Sequence, residues 1–244
     1  MSGETPDHFI LREYQARFWD AMQDGCKRAL LVWPRRHGKD EVCLQWAAKM
    51  VDKEPATYWH MLPLAVQARK AIWDAINPHT GKRRIDEIFP KELRASTREQ
   101  DMMIRFKNGS TWQVLGSDNY DAFVGSPPKG IVFSEWALCK PQAWAYARPI
   151  LRENGGWAIF NSTPRGTNHL WDMYQGYLDD PDWFVERLTA AETGVFTQED
   201  LDRELEEYVK ENGREIGTAL FRQEFMTDFT AVSLDDIMIP ADLV

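Results

Sequence analysis

The chain has 244 residues, 43% of them hydrophobic, which is enough to bury one large core or two small ones and sets disorder aside. A formal net charge of −9 excludes a protein basic over its whole surface that coats nucleic acid, and leaves room for a local basic patch. No run reaches the length of a membrane span, the N-terminus has no signal-peptide pattern, and Cys26, Cys43 and Cys139 lack metal spacing and read as small core residues in a reducing cytoplasm.

Leu11 to Trp19 opens a helix with apolar residues at helical spacing. Its Tyr14-Gln15 pair reads in two ways: an amide placed on an adenine edge beside an aromatic ring, or an exposed glutamine on an amphipathic helix. Next, Ala29-Leu30-Leu31-Val32 is a short apolar run that breaks into Trp33-Pro34-Arg35-Arg36-His37-Gly38-Lys39-Asp40, after which Glu41 to Met50 is helical in pattern. Strand, turn, Gly-Lys and helix is the layout of a phosphate-binding loop, in which helix-start N–H groups face an anion and a lysine reaches the outer phosphates. The match to G-x-x-x-x-G-K-[ST] is imperfect, because Trp33 stands in place of the first glycine and Asp40 in place of the hydroxyl residue.

Ala56 to Leu62 reads as a second buried strand ended by Pro63, and Leu64 to Ile76 as a helix stopped by Asn77-Pro78. A locally basic section follows (Lys82, Arg83, Arg84, Lys91, Arg94, Arg98, Arg105, Lys107), interleaved with acids, so it reads as either a solvated face or a DNA-contacting patch. The spacing predicts a β-hairpin, an insertion to the main fold, near 101–116 about Asn108-Gly109. Ile131-Val132-Phe133-Ser134-Glu135 is an apolar strand ending in a hydroxyl and a carboxylate, at the edge where open α/β sheets bind ligands. Pro141 to Arg152 reads as a helix, Trp157 to Asn161 as a buried strand running into Ser162-Thr163-Pro164-Arg165-Gly166, Thr197 to Glu211 as a solvated acidic helix packed on the sheet, and Arg214 to Phe225 as a further helix. This alternation predicts an α/β fold with a mostly parallel central sheet flanked by helices.

In that order, Tyr14-Gln15, Pro34 to Asp40, Ile131 to Glu135 and Ser162 to Gly166, together with Trp144 to Leu151 and Asn154 to Trp157, resemble the ATPase domain of viral large terminases, the motors that package phage DNA into procapsids. The resemblance covers nearly the whole chain and implies a RecA-like ASCE P-loop NTPase over 1–232, with 233–244 a linker toward a nuclease domain. Later carboxylates on new strands are lacking, so DNA cleavage by this sequence is not expected. The implied nucleotide-binding set is Tyr14, Gln15, Pro34, Arg35, Arg36, His37, Gly38, Lys39, Asp40, Glu41 and Thr163. Lys39 would neutralise outer phosphates, Arg35 would reach the γ-phosphate, Glu135 would orient the attacking water, and Ser162-Thr163-Pro164 would sense hydrolysis. Phe123-Val124-Gly125-Ser126 offers no arginine for a neighbour's site, leaving Arg148, Arg152 or Arg165 as trans-acting candidates.

The usual loop hydroxyl is Asp40 here and the usual carboxylate before the catalytic glutamate is Ser134, an exchange that keeps one carboxylate and one hydroxyl for a Mg²⁺ held jointly by Asp40 and Ser134. The resemblance implies ATP and Mg²⁺ as cofactors, double-stranded DNA, portal protein and small terminase subunit as partners, a ring of copies on the portal, and the host cytoplasm as location, with no membrane. Two other readings remain at this level: the first lobe of a helicase-type ATPase, and a nucleotide-binding scaffold without turnover.

Overall fold

The computed structural model describes residues 9–123 and 127–231; Val124-Gly125-Ser126 and the expected linker at 233–244 lie outside the described residues. Helix α1, Glu13–Gln23, begins with a capping box in which Gln15 Oε1 accepts the Arg12 backbone N–H at 3.0 Å, satisfying a donor that a helix start otherwise leaves orphaned. Strand β1, Arg28–Val32, is followed by the loop and by α2, Lys39–Lys53, then β2, Thr57–Leu62.

The expected helix from Leu64 to Ile76 is shorter. Helix α3, Ala65–Ala68, widens into a π-turn at Arg69–Trp73, which sets consecutive Ile72 and Trp73 wholly in the core. After α4, Arg84–Ile88, come β3, Arg94–Arg98, β4, Met103–Phe106, and β5, Thr111–Gly116. The hairpin at Asn108-Gly109 is present, with Gly109 at φ +94°, and it is not a detached insertion: β5 pairs in parallel with β2 and so joins the main sheet.

Strand β6, Gly130–Ser134, α5, Pro141–Glu153, β7, Trp157–Ser162, α6, His169–Tyr177, and β8, Trp183–Arg187, complete the α/β unit. Short α7, Ala190–Thr193, leads into α8, Gln198–Asn212, and α9, Arg214–Phe225. The acidic helix α8 is capped by Thr197 with Asp200, as its sequence predicts, but it packs chiefly on α9 through Leu201, Phe221 and Phe225 rather than on the sheet. The reason is its composition: a helix this rich in carboxylates buries Leu201 and little else.

The eight described strands form one sheet in the order β3-β4-β5-β2-β6-β7-β1-β8, parallel from β5 to β8 and antiparallel at β4. Side chains alternate across it, so Ala29 and Leu31 of β1 face α1 and α2, while Leu30 and Val32 face α5 and α6. Each large apolar side chain buried this way contributes about 1.5–3 kcal/mol. Gly130 is dictated by close approach, since a Cβ there would lie 2.2 Å from the Trp157 indole. The carboxyl ends of β1, β6 and β7 therefore stand side by side, each followed by one of the motifs. Among the described residues no helix is long and apolar enough to cross a membrane.

Candidate active site

The loop after β1 is braced from below. Gly38 caps α2 in the left-handed region at φ +67°, and Arg36 is also left-handed at φ +64° and exposed. The Tyr14 hydroxyl donates to the His37 carbonyl at 2.7 Å, and the Gln15 amide nitrogen lies 3.5 Å from the carbonyls of His37 and Gly38. Tyr14 and Gln15 are both buried, so Gln15 is not the exposed glutamine of the bland alternative. His37 is fully buried, with Nδ1–H donating to the Arg35 carbonyl at 2.7 Å and Nε2 2.8 Å from the Thr193 hydroxyl. Burial pushes its pKa below the usual value, which keeps the ring neutral in this bracing role. Pro34 is buried in the loop, and Glu41 faces sideways, pairing with Arg84 at 3.4 Å and accepting from Gln45 at 3.1 Å.

Lys39 is the centre of the site. Its ammonium is buried and donates to the carbonyls of Trp33 (3.1 Å) and Pro34 (2.9 Å) and to the Thr163 hydroxyl (3.2 Å), linking the loop to the end of β7. Burial pushes its pKa down, and the carboxylates of Glu135, Asp40 and Glu224 act against that. Across from it, Glu135 directly follows β6 at φ +55°, a left-handed conformation that costs about 1–3 kcal/mol and turns the chain sharply away from the strand. Burial raises the Glu135 pKa, with Lys39 opposing and Asp40 adding to the rise, so this carboxylate is more basic than a solvated one. Ser162 accepts the Ala137 N–H at 3.0 Å and fixes the turn that follows Glu135.

Asp40 and Ser134, which the sequence pairs only by exchange, meet directly. Ser134 Oγ donates to Asp40 Oδ1 at 2.5 Å. Two residues absent from the sequence-derived set join them: Asn161, whose amide nitrogen is 3.1 Å from both, and His60, whose Nε2 is 2.8 Å from Ser134 Oγ. Burial pushes the His60 pKa down to about 4, against the pull of Asp40. A carboxylate held in this way offers a hard oxygen that suits Mg²⁺, an ion that keeps several waters and completes its shell from substrate phosphates. Among the described residues no cluster of three or more His, Cys, Asp or Glu side chains forms a protein-only cage.

Glu224 is a further residue that the sequence does not single out. This buried α9 carboxylate pairs with Arg165 and lies 3.7 Å from Arg35, while its backbone carbonyl accepts the Arg35 N–H at 3.0 Å. It thus ties the loop after β1 and the segment after β7 to the C-terminal helices. Arg148 lies elsewhere. With Arg28, Arg152, Trp144 and Trp183 it lines an open cleft of about 1010 Å³ at the amino ends of β1, β7 and β8, so it takes no part in its own chain's site. The signal that would have found Asn161 and His60 is a polar residue inside an otherwise apolar buried strand, which must have a partner.

No protein-family model matches the chain. The large terminase of Escherichia phage T5 is 29% identical over 136 residues, covering 54% of this chain and 29% of that protein, so the match spans under a third of the relative's length. Among solved structures, a mutant ATPase domain of the Thermus phage P74-26 large terminase superposes with a TM-score of 0.65 at 19% identity, over 91% of this chain and 95% of that one. A large terminase from a thermophilic bacteriophage, in complex with ATP-gamma-S, gives a TM-score of 0.66 at 14% identity, over 91% of this chain and 53% of that one. The complex of that same terminase with ADP gives 0.65 at 17% identity, over 91% and 54%. The chain has the fold of large-terminase ATPase domains, and the resemblance carried by its motifs meets an independent sequence match to a large terminase.

Proposed function

We propose that this chain is the ATP-hydrolysing motor domain of a viral large terminase, which drives double-stranded DNA into procapsids. The observation that carries the reading is the setting of Lys39: a buried ammonium at the start of a helix, joined to Thr163 and within electrostatic reach of Glu135. The first-turn N–H groups of α2, which a helix start leaves without helical partners, suit the phosphates of ATP. Glu135, made more basic by burial, holds and orients the attacking water, and Arg35, a loop residue beside Glu224, meets the γ-phosphate. Mg²⁺, when bound through Asp40, neutralises charge on the outer phosphates. Tyr14 and Gln15 brace the loop carbonyls from the side on which this reading places the base.

Arg148 is exposed at the opposite end of the sheet, and in this reading it serves a neighbouring copy in a ring on the portal. The portal protein, the small terminase subunit and DNA are the partners, and the host cytoplasm is the location. The complexes of the thermophilic bacteriophage terminase with ADP and ATP-gamma-S support the nucleotide part of the proposal.

Steady-state ATP hydrolysis by the purified chain and by Glu135→Ala, across protein concentration with Mg²⁺, tests it. Turnover that rises more steeply than linearly with concentration and disappears in the variant is the expected result. Nucleotide binding without turnover at any concentration, even with portal and DNA added, would rule the motor reading out in favour of a scaffold.

A further inference from the structure

We propose that Asp40 alone supplies this chain's side-chain ligand to the nucleotide-bound divalent cation, and that Ser134, His60 and Asn161 are positioning residues that aim its carboxylate. The inference rests on the nucleotide-binding reading above and departs from joint ligation by Asp40 and Ser134.

The argument is a count of protons and lone pairs. A serine hydroxyl has one proton and two acceptor sites. At 2.5 Å from Asp40 Oδ1, Ser134 Oγ makes a short charge-assisted bond, and the carboxylate has no proton to give, so the serine proton lies in that bond. Ser134 can then only accept from its other neighbours. His60 Nε2 at 2.8 Å must therefore carry a hydrogen, and the Asn161 amide nitrogen at 3.1 Å fills the second acceptor site. Turning the Asn161 amide over would set its oxygen against Asp40 Oδ1, so the network fixes its orientation.

Ser134 Oγ is thus saturated, with two N–H dipoles turning their positive ends toward it, which is an unfavourable place for a cation. Asp40 Oδ1 is taken up by Ser134 and Asn161. The second carboxylate oxygen of Asp40 remains to meet the metal. His60 Nδ1 is buried without a partner, so a hydrogen placed there would be an unsatisfied donor, in keeping with a neutral ring protonated on Nε2. The ring is held edge-on to Trp112, with centroids 6.3 Å apart. Sheet register delivers the rest: His60 is paired with Val132 across β2–β6, and Ser134 with Asn161 across β6–β7. Three strands therefore orient one carboxylate on α2.

The test is the ratio of ATP-gamma-S dissociation constants in EDTA and in Mg²⁺, read by direct binding, with folding checked by thermal melts. Asp40→Asn is expected to bring the ratio to about one. Ser134→Ala, Asn161→Leu and His60→Leu should each keep a Mg²⁺-dependent gain, reduced by about ten-fold. His60→Gln, which retains an N–H donor, should recover most of the loss. In the wild-type chain, ¹⁵N NMR of His60 should show the Nε2–H tautomer, a reading that survives if the buried variants fail to fold. A Ser134→Ala loss as complete as that of Asp40→Asn, a folded His60→Leu with the wild-type ratio, or an Nδ1–H tautomer would each overturn the proposal. No binding of ATP-gamma-S by the wild-type chain, with or without Mg²⁺, would instead overturn the nucleotide reading and this proposal with it.

Discussion

Trp33 and Glu186 are joined by a 2.9 Å hydrogen bond from the indole N–H to a carboxylate oxygen, between the end of β1 and the edge strand β8. The indole is fully buried, with Tyr14 packed edge-on at a centroid distance of 5.3 Å. A tryptophan can replace the usual loop glycine here because its side chain turns away from the loop into the core. Restoring the consensus by Trp33→Gly is therefore expected to cost about 4 kcal/mol, the range for emptying an aromatic core site. Chemical denaturation measures this, and a loss below about 1 kcal/mol would contradict the packing role assigned to Trp33.

Glu135→Gln keeps the shape of the side chain and removes the base. Turnover should fall by about 10²-fold or more while ATP-gamma-S affinity stays within a few-fold. In the wild-type chain the base must be ionised, and burial raises its pKa, so activity should be lost on acidification at a higher pH than a solvated carboxylate gives. A pH–rate profile flat down to the ordinary carboxylate range would remove Glu135 from the role of base.

Asp40→Ser leaves two hydroxyls and no carboxylate in the pair. Mg²⁺-dependent hydrolysis should nearly vanish, and the double variant Asp40→Ser with Ser134→Asp should recover part of it, since His60 and Asn161 would then donate to a carboxylate on β6. A folded double variant as inactive as the single one would mean that the two positions do not exchange.

His60 also leaves a mark on stability. Its folded pKa of about 4 lies below the ordinary value of 6.5. Above pH 6.5 the ring is neutral in both states and contributes no pH dependence. Between 6.5 and about 4 the unfolded chain takes up a proton that the folded one refuses, so the folded state loses up to about 3 kcal/mol as pH falls. Melting temperatures of wild type and His60→Gln should therefore converge or cross in favour of the variant as pH drops from about 7 to about 4.5. Parallel curves would show that His60 is not held neutral.

The buried strands are legible in the sequence because β1, β2, β6 and β7 are covered on both faces and so read as continuous apolar runs. The motifs that end them locate Lys39, Glu135 and Thr163 for the same reason. β3 and β8 escape such a reading: as edge strands they are only partly buried, and Trp183 to Arg187 sits in an acidic stretch with no clear alternation. Sequence leaves Gln15 free to face a base or the solvent, whereas its burial depends on a loop 22 residues away. His60, Asn161 and Glu224 gain their meaning only from long-range contacts, such as Asn161 with Asp40 across 121 residues and Glu224 with Arg35 across a still longer span, which spacing along the chain does not encode.

β1 takes both of its neighbours from far downstream, pairing with Trp157–Ser162 on one side and Trp183–Arg187 on the other. During synthesis, then, Ala29-Leu30-Leu31-Val32 leaves the ribosome as a bare apolar strand and waits for roughly 150 further residues before both sides are covered. The loop after β1 cannot be held in shape before that. Nascent chains arrested short of Trp157 should accordingly be bound by chaperones or aggregate, and the candidate active site should be among the last parts of the molecule to form.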